Sequence, residues 1–166
     1  GGITYGVSDL ELTAAYAAIA DGGQYRKPVF YTKVTDSKGN VLIDNTENKA
    51  TQVFKASTAS LLTNVMEDVL EKGTGVAARL DNMHAAGKTG TTNEAKDLVF
   101  AGFTPYYTAA IWATYDTHAE FPESDREFHK RLWAKVMNEI HEGLADMDFE
   151  TSATVQEATI CTKTGL

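Results

Sequence analysis

The sequence predicts a mixed α/β (α+β) domain, an antiparallel sheet flanked by helices. Three observations carry that prediction. Apolar residues recur at helical spacing at Leu61, Leu62, Val65, Met66, Val69 and Leu70, and again at Leu132, Trp133, Val136, Met137 and Ile140. Between the two segments lie three runs of strand character, 85–92, 98–104 and 108–115. Pro105-Tyr106-Tyr107 joins the last two so tightly that they must pair antiparallel, since a parallel crossover needs a dozen or more residues.

The elements follow in order. Ser8-Asp9-Leu10-Glu11 is a capping box, so a helix runs from there to about Ala20 and stops at Asp21-Gly22-Gly23. That helix is apolar on nearly every side, which predicts a buried helix. Tyr31 to Thr35 and Val41 to Ile43 form a hairpin around Asp36-Ser37-Lys38-Gly39-Asn40. Ser57 is the expected cap of the second helix, which ends near Lys72 and Gly73, and 75–80 adds one helical turn. The third helix spans 128–142, with Gly143 as its stop. From Leu144 the chain turns acidic and then rich in Thr and Ser. The expected division is a domain portion at 1–145 and a linker, or the start of a C-terminal extension, at 146–166.

Composition removes several functions. The chain has 166 residues and a net charge of −8, with no basic stripe interleaved with aromatics, so nucleic acid and anionic lipid are not its partners. No apolar run reaches the roughly 20 residues that span a bilayer. A single cysteine, Cys161, allows no internal disulfide. The absence of an initiator Met and the abrupt ends suggest a piece of a longer protein.

The chemistry concentrates in His84-Ala85-Ala86-Gly87-Lys88-Thr89-Gly90-Thr91-Thr92-Asn93. On an edge strand, Thr89 and Thr91 share one side and Lys88 and Gly90 the other. Such an edge offers unpaired N–H groups to a peptide laid along it. Gly90 lets that peptide approach closely. The Lys88 ammonium suits a carboxylate, the two hydroxyls complete its hydrogen bonds, and the Thr91 N–H suits a developing oxyanion. The expected ligand is anionic and peptide-like. Lys-Thr-Gly alone is a weak signal, and its second copy, Lys163-Thr164-Gly165, has no strand pair behind it and is given no role.

Context makes the first copy specific. Gly2-Ile3-Thr4-Tyr5-Gly6-Val7-Ser8, Ala14-Ala15-Tyr16-Ala17, Asp21-Gly22-Gly23, Phe54-Lys55-Ala56-Ser57-Thr58-Ala59, Gly73-Thr74-Gly75, Gly87 to Asn93, Phe103 to Tyr107 and Ile111-Trp112 occur in the order seen in class A penicillin-binding proteins. The chain resembles that family from Gly1 to about Tyr115. The resemblance implies the β-lactamase/transpeptidase-like fold and a serine D,D-transpeptidase that cross-links peptidoglycan through an acyl-enzyme. It implies peptidoglycan stem peptides and β-lactam antibiotics as ligands, no cofactor and no metal, and a parent protein anchored at the outer face of the cytoplasmic membrane. It assigns substrate binding to Lys88, Thr89, Gly90 and Thr91, with catalytic parts for Lys88 and Thr91.

The family pattern also needs Ser-x-x-Lys and Ser-x-Asn. Neither is present. Ser8, Ser37, Ser57, Ser60, Ser124 and Ser152 are followed three residues on by Glu, Asn, Ser, Thr, Glu and Val, and none has Asn two residues on. The expectation is a transpeptidase domain whose N-terminal part is missing here and must supply the nucleophile as a partner. The chain alone should not acylate, and an exposed apolar surface should mark where that part docks. A non-catalytic β-lactam sensor or degenerate penicillin-binding module is the alternative; an α+β domain with an accidental Lys-Thr-Gly does not explain the ordered segments, and against a serine β-lactamase the Gly-Val-Ser, Gly-Thr-Gly and Lys-Thr-Gly-Thr-Thr-Asn contexts favour the synthases. Elsewhere, His84, His118, His129 and His141 are expected on the surface, Trp112 and Trp133 in the core, and Asn93 and Asp97 beside the motif strand.

Overall fold

The computed structural model describes residues 6–159, 161 and 163–165. The Gly2 to Tyr5 part of the first family motif lies outside the described residues. Helix α1 (Asp9–Ala20) opens with the expected capping box: Ser8 accepts from the Glu11 N–H, and the Glu11 carboxylate accepts from the Ser8 N–H at 2.8 Å. Two short strands follow, β1 (Gln24–Tyr25) and β2 (Lys33–Thr35). β2 pairs antiparallel with β3 (Val41–Asp44), and the Asp36 carboxylate ties their turn by accepting from the Lys38 and Asn40 N–H groups. β4 (Thr51–Gln52) returns to pair with β1, a pairing too short to carry a sequence pattern.

Helix α2 (Ala56–Glu71) begins one residue before the predicted cap. Lys55 holds the N-cap position and makes no side-chain cap bond, so Ser57 sits inside the first turn. A short 3₁₀ turn follows at Val76–Ala78. Strands β5 (Ala86–Thr91), β6 (Asp97–Phe103) and β7 (Thr108–Thr114) form an antiparallel sheet in that order. Helix α3 (Phe128–Ile140) closes the domain. Among the described residues no helix is long and apolar enough to cross a membrane.

Alternation along β6 builds two cores. Phe100 points to one face and packs with Leu70 of α2, Leu80, and Trp133 and Met137 of α3. Its ring meets Trp133 edge to face at 4.9 Å. Phe103 points to the other face and packs with Ala86, Met66 of α2 and Tyr16 of α1. Phe149 and Ser152, from the segment after α3, lie against this second core. Phe149 meets Phe103 edge to face at 5.4 Å, and the Ser152 N–H donates to the Ser60 hydroxyl at 2.9 Å.

In α1 only Ala14 and Ala18 are buried, and Leu10 is exposed, because the sheet and α2 cover one side of the helix and nothing described covers the rest, in keeping with the exposed apolar surface expected for a partial domain. Three expectations are corrected by this packing. In α2 the covered stripe is Ala59, Thr63, Met66 and Leu70, while Leu61, Leu62 and Val65 face outward. In α3 Trp133 and Met137 are buried with Ala134, but Leu132, Val136 and Ile140 form a second, open stripe. His129 and His141 are buried, not on the surface. His141 sits under the β6–β7 turn, where its Nδ1–H donates to the Met137 carbonyl at 2.6 Å and its Nε2 meets the Thr104 hydroxyl at 2.8 Å. The Thr104 oxygen in turn accepts from the Tyr106 and Tyr107 N–H groups.

Candidate functional site

β5 is an edge strand. Its register with β6 is Ala86 against Phe103, Lys88 against Ala101, Thr89 against Phe100 and Thr91 against Leu98. Lys88 and Gly90 therefore share the Phe103 face, and Thr89 and Thr91 share the Phe100 face. Lys88 and Thr91 are exposed, and Thr89 and Gly90 half-buried. All four line one accessible strand end.

The Lys88 ammonium folds over its neighbour, donating to the Thr89 carbonyl at 2.9 Å and the Thr89 hydroxyl at 3.2 Å. An ammonium has three N–H donors, and among the described residues these two contacts leave capacity for a further acceptor. The Thr89 hydroxyl also lies 2.8 Å from the Thr74 hydroxyl, in the turn that follows α2. Thr74 belongs to the Gly73-Thr74-Gly75 segment, 15 residues from Thr89, a separation at which sequence spacing alone does not show contact.

The strand's two glycines differ. A Cβ on Gly87 would stand 2.7 Å from the Phe100 ring and 2.9 Å from the Ala101 carbonyl oxygen, so close packing with β6 demands that glycine. A Cβ on Gly90 would meet only the Val99 Cβ, at 3.4 Å, an ordinary contact. Packing within the described residues gives no reason for glycine at 90.

Beyond Thr91 the backbone turns sharply, with Glu94 and Ala95 at φ of +61° and +49°. Asp97 anchors this turn. Its carboxylate accepts from the Thr92 hydroxyl at 3.0 Å and the Trp112 Nε1–H at 3.1 Å, and lies 3.3 Å from His118 Nε2. Burial pushes its carboxyl up, but the bonds from Trp112, His118 and Thr92 outweigh that and hold it below the usual carboxylate range. Asp97 thus shapes the end of the strand from behind. Trp112 is exposed, not a core residue, and its indole N–H braces Asp97. Asn93 is exposed in the turn. His84 lies at the far end of β5 and faces carboxylates: Asp148 at 3.0 Å, Glu67 at 3.6 Å and Asp146 at 4.0 Å. It is remote in the strand from Thr91 and belongs to the seating of the 144–152 segment.

Residues 1–142 match the family model of the penicillin-binding protein transpeptidase domain. The chain belongs to that family, and corresponds to the C-terminal part of the transpeptidase domain of a class A penicillin-binding protein. It is 34% identical over 166 residues to penicillin-binding protein 1A of Clostridium perfringens, covering all of this chain and 19% of that protein. It is 40% identical over 117 residues to penicillin-binding protein 4 of Bacillus subtilis, covering 70% of this chain and 19% of that one. The chain therefore spans about a fifth of these relatives. Among solved structures, PonA1 of Mycobacterium tuberculosis in complex with penicillin V superposes with a TM-score of 0.73 at 26% identity, over 84% of this chain and 39% of that one. Penicillin-binding protein 1A of Haemophilus influenzae shares the fold with a TM-score of 0.83 at 18% identity, over 96% of this chain and 30% of that one.

Proposed function

We propose that this chain is the substrate-binding part of a peptidoglycan D,D-transpeptidase, and that the serine nucleophile comes from the part of the protein upstream of Gly1. In this reading a stem peptide lies along the free edge of β5. Lys88, Thr89 and Thr91 take its terminal carboxylate, and the Thr91 N–H helps stabilise the tetrahedral oxyanion formed when the serine attacks the penultimate D-Ala carbonyl. The peptide carbon–nitrogen bond to the terminal D-Ala then breaks and D-Ala leaves carrying the serine's proton on its amine; the amine of a second stem attacks the ester, the serine–carbon bond breaks, and the amine's proton returns to the serine oxygen. A β-lactam enters the same site, and its opened ring stays tethered as the acyl-enzyme. The parent protein is anchored at the outer face of the cytoplasmic membrane, where this substrate lies.

The single observation that carries the reading is Gly90. It has room for a methyl group against its own chain, yet it sits between a lysine and a threonine on an open strand edge. A ligand lying on the strand supplies the missing reason for glycine. The upstream part finds its place on the open apolar residues: the Leu132, Val136 and Ile140 stripe of α3, Leu10 of α1 and Phe30, which is 82% exposed.

Gly90→Ala in the full-length protein tests this. The melting temperature should stay within about 2 °C of the unchanged protein, while acylation by a penicillin falls at least roughly tenfold. Unchanged acylation would remove the argument for a ligand on this strand edge.

A further inference from the structure

Resting on that reading, we propose that Thr74 and Lys130 are positioning residues for the Lys88–Thr89 pair, acting through one continuous chain of hydrogen bonds from helix α3 to the motif strand. Lys130 is a lysine only 8% exposed. A buried ammonium persists only where it is paired and bonded. Lys130 meets both needs: it pairs with Glu127 at 2.8 Å and donates to the Thr74 carbonyl at 3.1 Å. The second bond spans 56 residues of sequence and fixes the Gly73-Thr74-Gly75 turn to α3.

The turn is also fixed from its other side. The Gly75 N–H donates to the Val69 carbonyl at 2.9 Å, and a Cβ on Gly75 would stand 3.0 Å from the Val69 side chain and 3.4 Å from the Phe100 ring. Thr74 is therefore held by its backbone, with an exposed side chain that reaches the Thr89 hydroxyl at 2.8 Å.

Either hydroxyl of this pair can donate to the other. The Lys88 ammonium can only donate, so the Thr89 oxygen accepts from it. In the proposed arrangement the second lone pair of that oxygen takes the Thr74 O–H, and Thr89 keeps its own O–H for an incoming carboxylate. Were Thr74 absent, nothing in this contact would hold the Thr89 hydroxyl in that orientation. Thr74 thus sets which groups the site presents, without itself touching the reacting atoms.

The test uses the full-length protein and benzylpenicillin, reading the second-order acylation rate and the melting temperature together. Thr74→Val keeps the shape and removes the hydroxyl. It should slow acylation about fivefold to tenfold with little change in melting. Thr74→Ser should restore most of the rate. Lys130→Met should also slow acylation, and combining it with Thr74→Val should cost no more than Thr74→Val alone, because both act through one bond. A Thr74→Val protein that acylates normally, a Ser variant no better than Val, or fully additive effects would each overturn the inference. Failure of the unchanged protein to acylate at all would instead overturn the transpeptidase reading, and this inference with it.

Discussion

Lys88→Met in the full-length protein should slow acylation by a penicillin about a hundredfold. The side chain is exposed and, among the described residues, bonds within its own motif, so the fold loses little. The loss falls on the ligand. A charge-assisted bond to a carboxylate is worth roughly 1.5–3 kcal/mol, which corresponds to about tenfold to a hundredfold in rate. Lys88→Arg should recover only part of the activity. The guanidinium keeps the charge, but its planar fork cannot fold onto the Thr89 carbonyl and hydroxyl as the ammonium does. Stopped-flow acylation with melting temperatures taken in parallel checks both variants. A Lys88→Met protein that acylates at the normal rate would show that the strand end is not where the ligand's carboxylate sits.

Phe100→Ala should act oppositely, on the fold before the chemistry. Phe100 is fully buried at the centre of the sheet. Its ring packs on Trp133 and Leu70, and a Cβ on Gly75, Gly87 or Gly102 would stand 3.4, 2.7 or 3.0 Å from it. Truncating a core phenylalanine costs about 3–5 kcal/mol. Here the cavity would open directly beneath Thr89, its register partner on β5. Chemical denaturation of the full-length protein should show that loss in the transpeptidase domain. A change below about 1 kcal/mol would mean that the α3 side of the sheet is not packed as described.

Much of this architecture was legible in the sequence. The capping box at Ser8, the three strands and both amphipathic helices emerged from spacing alone, because those signals are local. The motif strand was legible for the same reason, since Lys88 to Thr91 is contiguous. What stayed hidden was which apolar residues are covered. Leu132, Val136 and Ile140 carry the same periodic signal as Trp133 and Met137, yet only the latter pair meets the sheet. Periodicity reports that a face is apolar and does not report whether its neighbour lies within the same 166 residues. The buried histidines escaped for a related reason. His141 is buried because Thr104, 37 residues earlier, provides its partner. The Thr74–Thr89 and Lys130–Thr74 contacts likewise join residues 15 and 56 apart, beyond any local rule.

The central claim is that this chain binds and another part of the protein attacks. Mapping the penicillin adduct in the full-length protein by proteolysis and mass spectrometry tests it most directly, alongside the intact mass of residues 1–166 alone after the same treatment. The account predicts a single adduct on a serine upstream of Gly1, and no adduct on the isolated chain. An adduct on any residue between Gly1 and Leu166 would contradict it.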